Sequence, residues 1–340
     1  MKTIAKTKLI AFLEALSDDY RVVVPLQQGT EVEMGELDGG RLAVGYRGKT
    51  RFSAKECLFP ESEVMLTFDN RGAGAVETTE HTPAEKTAVW GVRPCDLAGM
   101  ATLDAVFLSP PVDTYYYARR ANTLLLGLNC HEVGTSCFCR SFAAGPFASS
   151  GFDMIFTDVA ERFLVESGSE VGARLLEQHG ELFAEAGEAD RQEAESLRLA
   201  AETAFTTTLD VPALLVALQE AFDDGVWEEQ AKKCTLCGTC CIVCPTCHCF
   251  NVEDVRKTRK LFQRVRYWDS CQFTGFTRMA AENSRSTQGE RWRQKIYDKF
   301  VYLPAVYDGL LGCTGCGRCL DLCQGNINIV QVLEKVSHGH

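Results

Sequence analysis

The spacing of apolar residues divides the chain into a strand-rich first half, a helical middle and a cysteine-punctuated end. Residues 7–16 read as a short helix, and 21–26 (RVVVPL) as a strand. The glycine-rich stretch 35–46 predicts a hairpin, and 64–68 (VMLTF) another strand. Residues 71–75 (RGAGA) lack the spacing of either standard nucleotide fingerprint and read as a turn. Residues 88–92 (AVWGV) predict a strand running into RPCDLAGM and a helix through Phe107, with Asp96 as the helix N-cap. Residues 124–128 (LLLGL) predict a strand leading to Asn129, Cys130 and a CFC triplet, and 154–165 read as two strands across a turn. From 170 to 222 the pattern is helical, rich in Ala, Glu and Leu, with Gly187 and Pro212 as punctuation.

Strands alternating with helices predict an α/β N-terminal domain over 1–168, followed by a helical bridge over 169–225. In open α/β sheets, sites gather beyond the carboxyl ends of the strands. The remaining 226–340 predict an α-helical ferredoxin-like dicluster domain. The approach to Cys234 is helical in pattern, as are 278–281 and 290–300, and 68 residues separate Cys244 from Cys313.

Two stretches of this last domain carry the strongest chemical signal. Residues 234–245 read CTLCGTCCIVCP and 313–323 read CTGCGRCLDLC, each a C-x2-C-x2-C-x3-C run. Such a loop places three thiolates on one iron–sulfur cube, while the fourth cysteine serves the cube of the other run. The spacing therefore assigns Cys234, Cys237, Cys240 and Cys323 to one [4Fe–4S] cluster, and Cys313, Cys316, Cys319 and Cys244 to a second. Pro245 turns the chain away after the first run, and Gln324 takes the corresponding place after the second. Structural zinc draws cysteines in pairs from two separated knuckles, whereas each run here packs four into eleven residues.

Cys95 and Cys130 fall at the ends of predicted strands, with Cys137 and Cys139 close by, and these four could hold a third [4Fe–4S] cluster. Cysteine is also a common buried residue, so Cys95 could simply pack. Cys247, Cys249 and Cys271 form a second C-x-C and a distant thiol near Trp268. They could ligate a further centre, exchange places with the N-terminal set, or line a cluster without binding it. Cys57 and Cys241 read as packing residues, His248 as a hydrogen-bonding core residue, and His338 and His340 as tail residues.

Composition narrows the setting. With 340 residues, 46% hydrophobic and 24% charged, the chain is an ordinary globular one. Residues 1–16 lack the apolar core and cleavage site of a signal peptide, and no apolar run approaches membrane-spanning length. These features predict a cytoplasmic protein with no membrane span, in which the 17 cysteines are reduced and the clustered ones bind metal, rather than forming disulfides. The net charge of −11 splits into 16 basic against 9 acidic residues from Lys232 onward, and 19 against 37 before it. A basic excess offsets the charge of about −2 on each cluster held by four thiolates. A nucleic-acid patch at 256–266 (RKTRKLFQRVR) fits poorly with the acidic first half, so no nucleic-acid partner is expected.

The order RPCD, NCHEVGTSCFC with SFAAGP, VESGSEVG, CTLCGTCCIVCPTCHC, WDSC and CTGCGRC resembles one family of iron–sulfur subunits, from about Arg21 to Val336. That family includes the beta subunit of soluble sulfhydrogenases and an iron–sulfur subunit of anaerobic sulfite reductase. Iron–sulfur subunits feeding heterodisulfide-reductase-like complexes are similar. The resemblance implies an electron-transfer subunit of a multisubunit anaerobic oxidoreductase. Its expected partners are a flavoprotein that binds FAD and NAD(P)H and a catalytic redox subunit. The family pattern has cysteines at Cys95, Cys130, Cys137 and Cys139, and also at Cys247, Cys249 and Cys271. Two segments depart from it: SFAAGP stands where SMGTGP is usual, and ENSRSTQGERWR lacks a Gly-His-Asn-Phe-Arg run.

The residues supply ligands but no Walker loop, no GxGxxG after a strand and no nucleophile-plus-base motif, so no catalytic residue is assigned. Two other readings compete. A self-contained reductase would act on a small sulfur compound at an N-terminal cluster, and a structural scaffold would hold zinc in place of iron.

Overall fold

A computed structural model describes residues 1–72 and 74–338, with Arg71 and His338 described by their backbone alone. Ala73 within the expected turn and His340 in the tail lie outside the described residues. The strands, in chain order, are β1 (Lys2–Ala5), β2 (Arg21–Gln28), β3 (Glu31–Glu36), β4 (Ser62–Gly72), β5 (Ala75–Glu80), β6 (Thr87–Val92), β7 (Thr123–Leu128), β8 (Met154–Val159), β9 (Arg162–Ser167), β10 (Phe183–Glu185), β11 (Phe250–Arg256) and β12 (Leu261–Trp268).

Eight of them form a mixed sheet in the order β10-β1-β9-β8-β7-β6-β2-β3. The centre, β2-β6-β7-β8, is parallel, and antiparallel strands flank it. Every residue of β6 and β7 is buried, which is why both read as unbroken apolar runs: helices cover both faces of these strands. Helix Lys6–Leu16 lays Leu9, Phe12, Leu13 and Leu16 on one face, against Trp90, Phe156 and Phe163. Helix Pro94–Phe107 lays Leu97, Met100 and Leu103 on the other.

Three local expectations change. The hairpin forms from β2 and β3, and the segment after it returns to β2 through a single bridge, Leu26 to Leu42. Helix Pro94–Phe107 starts earlier than expected because Pro94 takes its first turn, so Arg93 is the N-cap and the Asp96 carboxylate is free for another partner. Between helices Glu170–Gln178 and Glu188–Thr203, short β10 closes the sheet edge against β1.

The second sheet, ordered β11-β12-β4-β5, is antiparallel throughout. It takes two strands from the first half and two from between the cysteine runs, a segment expected to be helical. The alternating Val, Phe and Tyr of 250–268 carry the strand signal, which the basic residues among them obscure. Residues 278–281 are not helical either, since Arg278 pairs with Asn283 in an isolated bridge. The expected helix near 290–300 is present as Gln288–Tyr297, continuing as a π-turn over Asp298–Tyr302, and is opened by a Thr287–Glu290 capping box.

Around it, Leu214, Leu218, Trp227, Trp292, Ile296, Phe300 and Leu333 form a second apolar core. Among the described residues, no helix is long and apolar enough to cross a membrane.

Candidate metal centres

Each cysteine run is a loop that tightens into one helical turn, Thr239–Ile242 in the first and Arg318–Asp321 in the second. Gly238 (φ 72) and Gly317 (φ 73) precede these turns in the left-handed conformation that glycine adopts without strain. The loops aim backbone amides at sulfur: Leu236 N donates to Cys234 Sγ at 3.4 Å, Gly315 N to Cys313 Sγ at 3.5 Å and Ile327 N to Cys323 Sγ at 3.3 Å. Such bonds favour thiolate over thiol and tune a bound metal.

Three cavities are lined by cysteines, each by one expected set of four together with a cysteine of a neighbouring set. A cavity of 30 Å³ is lined by Cys234, Cys237, Cys240 and Cys323, with Trp292 and Lys295 beside them. One of 20 Å³ is lined by Cys244, Cys313, Cys316 and Cys319, with Lys295, Lys299 and Phe138. The largest of these three, 260 Å³, is lined by Cys95, Cys130, Cys137 and Cys139, with Lys49 and Arg93. The walls are shared. Cys240 and Cys319 face both of the smaller cavities, and Cys316 faces both the middle and the large one.

The large cavity forms where the sheet topology directs. β6 and β7 are parallel neighbours, so Cys95 and Cys130, just past their carboxyl ends, arrive side by side. Arg93 secures the second strand end by donating to Leu128 O and Asn129 O, at 3.3 and 3.0 Å. The Cys137–Cys139 loop is clamped by the second cysteine run: Phe138 N donates to Gly315 O at 2.8 Å. A Cβ on Gly315 would lie 2.5 Å from Phe138 O, and one on Gly317 would lie 2.2 Å from Ser136 O.

A fully buried ion pair locks the same joint. Arg318, inside the second run, donates to both Asp96 oxygens at 2.6 and 2.8 Å, and its Nε donates to Thr50 O at 2.9 Å. Ser53 Oγ adds a 3.0 Å bond to Asp96 Oδ1. Asp96 follows Cys95 in the chain, so the pair ties one wall of the large cavity to the loop bearing Cys316. On the opposite side Pro245 presses on Gly99, where an added Cβ would come within 2.5 Å of the ring.

The electrostatics suit anionic occupants. Burial pushes the Cys95, Cys130 and Cys139 thiols up, and Cys313 to about 12, so these thiolates need a cationic partner. Against the cost of burial, the Cys240, Cys241 and Cys319 thiolates hold Lys295 well above its ordinary range, and those of Cys244, Cys247 and Cys313 do the same for Lys299. Lys299 Nζ lies 3.4 Å from Cys244 Sγ and 3.5 Å from Cys247 Sγ. Lys49 Nζ reaches Cys316 O at 2.7 Å, Asp321 at 2.7 Å and Cys137 Sγ at 3.8 Å. Among the described residues, no three His, Cys, Asp or Glu side chains converge as they would on a single ion. Thiols set apart around a cavity are what a multinuclear cluster requires.

The other cysteines separate into two kinds. Cys57 packs in the N-terminal core with Leu58 and Phe59, where burial pushes its thiol up to about 12. Cys247, Cys249 and Cys271 lie together, and Cys241, expected only to pack, joins them. His248 Nδ1 sits 3.0 Å from Thr246 O, in a hydrogen-bonding role. The lysines were the site residues least visible in the sequence. Lys295 and Lys299 sit four apart on one helical face, a spacing that carries the signal once the helix is known.

A family described as "4Fe-4S dicluster domain" matches residues 233–327, which span both cysteine runs. Across nearly the whole chain, the protein is similar to the sulfhydrogenase 2 subunit beta of Pyrococcus furiosus, with 31% identity over 330 residues, 96% of each chain. An identity of that extent, together with the paired cysteine runs and their cavities, places this chain in the family of iron–sulfur subunits that includes the sulfhydrogenase beta subunit.

Proposed function

We propose that this chain is a cytoplasmic electron-transfer subunit, relaying electrons between a flavoprotein that binds FAD and NAD(P)H and the catalytic subunit of an anaerobic oxidoreductase. One observation carries the reading: the three cysteine-lined cavities share walls, through Cys240 and Cys319 at one junction and Cys316 at the other. Cys234, Cys237, Cys240 and Cys323 would hold one [4Fe–4S] cluster, Cys244, Cys313, Cys316 and Cys319 a second, and Cys95, Cys130, Cys137 and Cys139 a third. Bound there, the clusters supply reversible one-electron storage.

The surrounding residues perform the protein's part. Lys295 stands between the two C-terminal sites and Lys299 beside the second, where they offset the charge of thiolate ligands. Arg93 and Lys49 do so at the N-terminal site. The Asp96–Arg318 pair fixes the spacing between the walls bearing Cys95 and Cys316. In this reading the chain has an α/β unit over 1–168, a bridge over 169–225, and an α-helical ferredoxin-like dicluster unit over 226–340 into which the β11–β12 hairpin is inserted.

The test uses the anaerobically purified full chain. The Cys95→Ser variant is expected to lose about four irons and four sulfides relative to wild type, and the dithionite-reduced sample to lose part of its spin–spin broadening. The wild-type protein is expected to show no turnover of sulfite, polysulfide or disulfide with reduced methyl viologen. Turnover there would replace the relay with a self-contained reductase. Zinc in place of iron would replace it with a scaffold.

A further inference from the structure

The β11–β12 hairpin is a stem whose base carries sulfur on both sides. Phe250 pairs with Trp268 at its foot, and Asp269 N donates to Cys249 O at 3.0 Å. This pairing draws Cys247 and Cys249, which precede β11, next to Cys271, which follows β12. The helical turn Thr239–Ile242 of the first cysteine run closes the gap with Cys241. The thiols meet in a chain, Cys247 to Cys241, Cys241 to Cys271 and Cys271 to Cys249, which touches the C-terminal sites where Cys247 meets Cys244 and Cys241 meets Cys240. None of the four faces the three cavities described above.

Two buried lysines point at the group from different parts of the fold. Lys55, from the first half of the chain and 2% exposed, directs Nζ to Cys247 O at 3.1 Å and Cys241 O at 3.5 Å, and stands 4.2 Å above the Trp268 ring. Its contacts are thus two carbonyls and an indole face. These dipoles compensate a buried ammonium poorly, whereas a cluster held by four thiolates carries about −2. Lys299 Nζ lies 3.5 Å from Cys247 Sγ. Gln272 Nε2 donates to Cys271 Sγ at 3.7 Å, the type of bond that supports a metal-bound thiolate.

We propose that Cys241, Cys247, Cys249 and Cys271 hold a fourth [4Fe–4S] cluster at the base of the hairpin, beside the row of three. The open chain of contacts favours a multinuclear centre, because no single point serves three of the thiols at once. The site adjoins both C-terminal sites: Cys241 is the chain neighbour of Cys240, and Cys247 shares Lys299 with Cys244. Half-buried Cys247 and Cys249 place it close to the surface at the foot of the hairpin, a position for a branch off the main row.

Iron, acid-labile sulfide and zinc are measured on the anaerobically purified full chain and on its Cys249→Ser, Cys241→Ala and Cys95→Ser variants. The expected wild-type content is about sixteen irons, with a loss of about four in Cys249→Ser and in Cys241→Ala. Mössbauer spectra of the wild-type protein give the same count without any variant. About twelve irons in wild type, unchanged in Cys249→Ser but lowered in Cys95→Ser, overturns the fourth cluster and leaves the three-cluster relay standing. A loss in Cys249→Ser with none in Cys95→Ser does the reverse. About twelve irons with one zinc that disappears in Cys249→Ser overturns the iron–sulfur assignment of this site.

Discussion

Replacing Arg318 by methionine would leave the Asp96 carboxylate, 1% exposed, with the Ser53 hydroxyl as its remaining side-chain donor, and would free Thr50 O of its guanidinium partner. Removing one partner of a buried ion pair costs about 3–5 kcal/mol, because the survivor is left charged and dry. Unfolding entropy of roughly 2.1 cal/mol/K per residue, over 340 residues, amounts to about 0.7 kcal/mol/K. The expected drop in the unfolding midpoint is therefore about 4–7 °C. Asp96→Leu should do comparable damage by stranding the guanidinium. The double variant Asp96→Leu/Arg318→Met removes both charges and should recover at least half of either loss. Circular dichroism during anaerobic heating, on samples matched for iron in the C-terminal sites, reads all three. Single variants should also lose N-terminal iron, because Cys95 and Cys316 flank the pair. Single shifts under about 1 °C, or a double variant as low as the sum of the singles, would refute the account of this joint as a coupled buried pair.

Gly315→Ala puts a methyl group 2.5 Å from Phe138 O at a φ of 61, and should displace the Cys137–Cys139 loop. Iron analysis is expected to show a loss of about four atoms with the C-terminal EPR signals retained. Lys49→Met removes a cation 3.8 Å from Cys137 Sγ, and should lower the N-terminal midpoint potential by on the order of tens of millivolts in a dithionite titration. Arg266, 1% exposed, bonds Glu63 at 2.8 Å and also Asp113, while Arg119 holds the other Glu63 oxygen at 2.8 Å. Arg266→Met is expected to cost about 3–5 kcal/mol, read as a lowered urea midpoint, with Arg119→Met milder because its side chain is less buried.

Where burial was complete, the fold was legible. β6 and β7 are covered on both faces, so their apolar runs were unmistakable, and their parallel pairing placed Cys95 and Cys130 together. Legibility fell where a charged surface masked the pattern. Phe250 and Val252, and Val265 and Tyr267, alternate with polar residues in the hairpin, but the helix-like stretches 278–281 and 290–300 drew the reading toward a helical module. Cys241, read as a packing residue, is buried. Only the paired ends of β11 and β12 bring Cys249 and Cys271 to it, across 22 residues of sequence. Asp96 failed for a different reason: local capping rules describe a helix end alone, and its partner Arg318 lies 222 residues away.

The charge asymmetry in the sequence gains its meaning from where the cations sit. From Lys232 onward, five basic residues are buried, namely Arg266, Arg291, Lys295, Lys299 and Arg318, and among the described residues of that stretch no carboxylate is. Three of the five are accounted for by protein. Arg266 and Arg318 reach across to Glu63, Asp113 and Asp96 of the first half, and Arg291 donates to the carbonyls of Arg285 and Ser286. Lys299 is left with Thr246, Gly312 O and sulfur, and Lys295 with the Trp292 ring and the Cys240 thiolate. A folded chain does not bury two ammonium groups for the sake of neutral thiols, since their desolvation would go unmatched. Thiolates held by iron would remove the difficulty. Two cations of the basic second half, Lys295 and Lys299, are therefore turned inward onto the cysteines, where they would offset the charge of thiolate ligands.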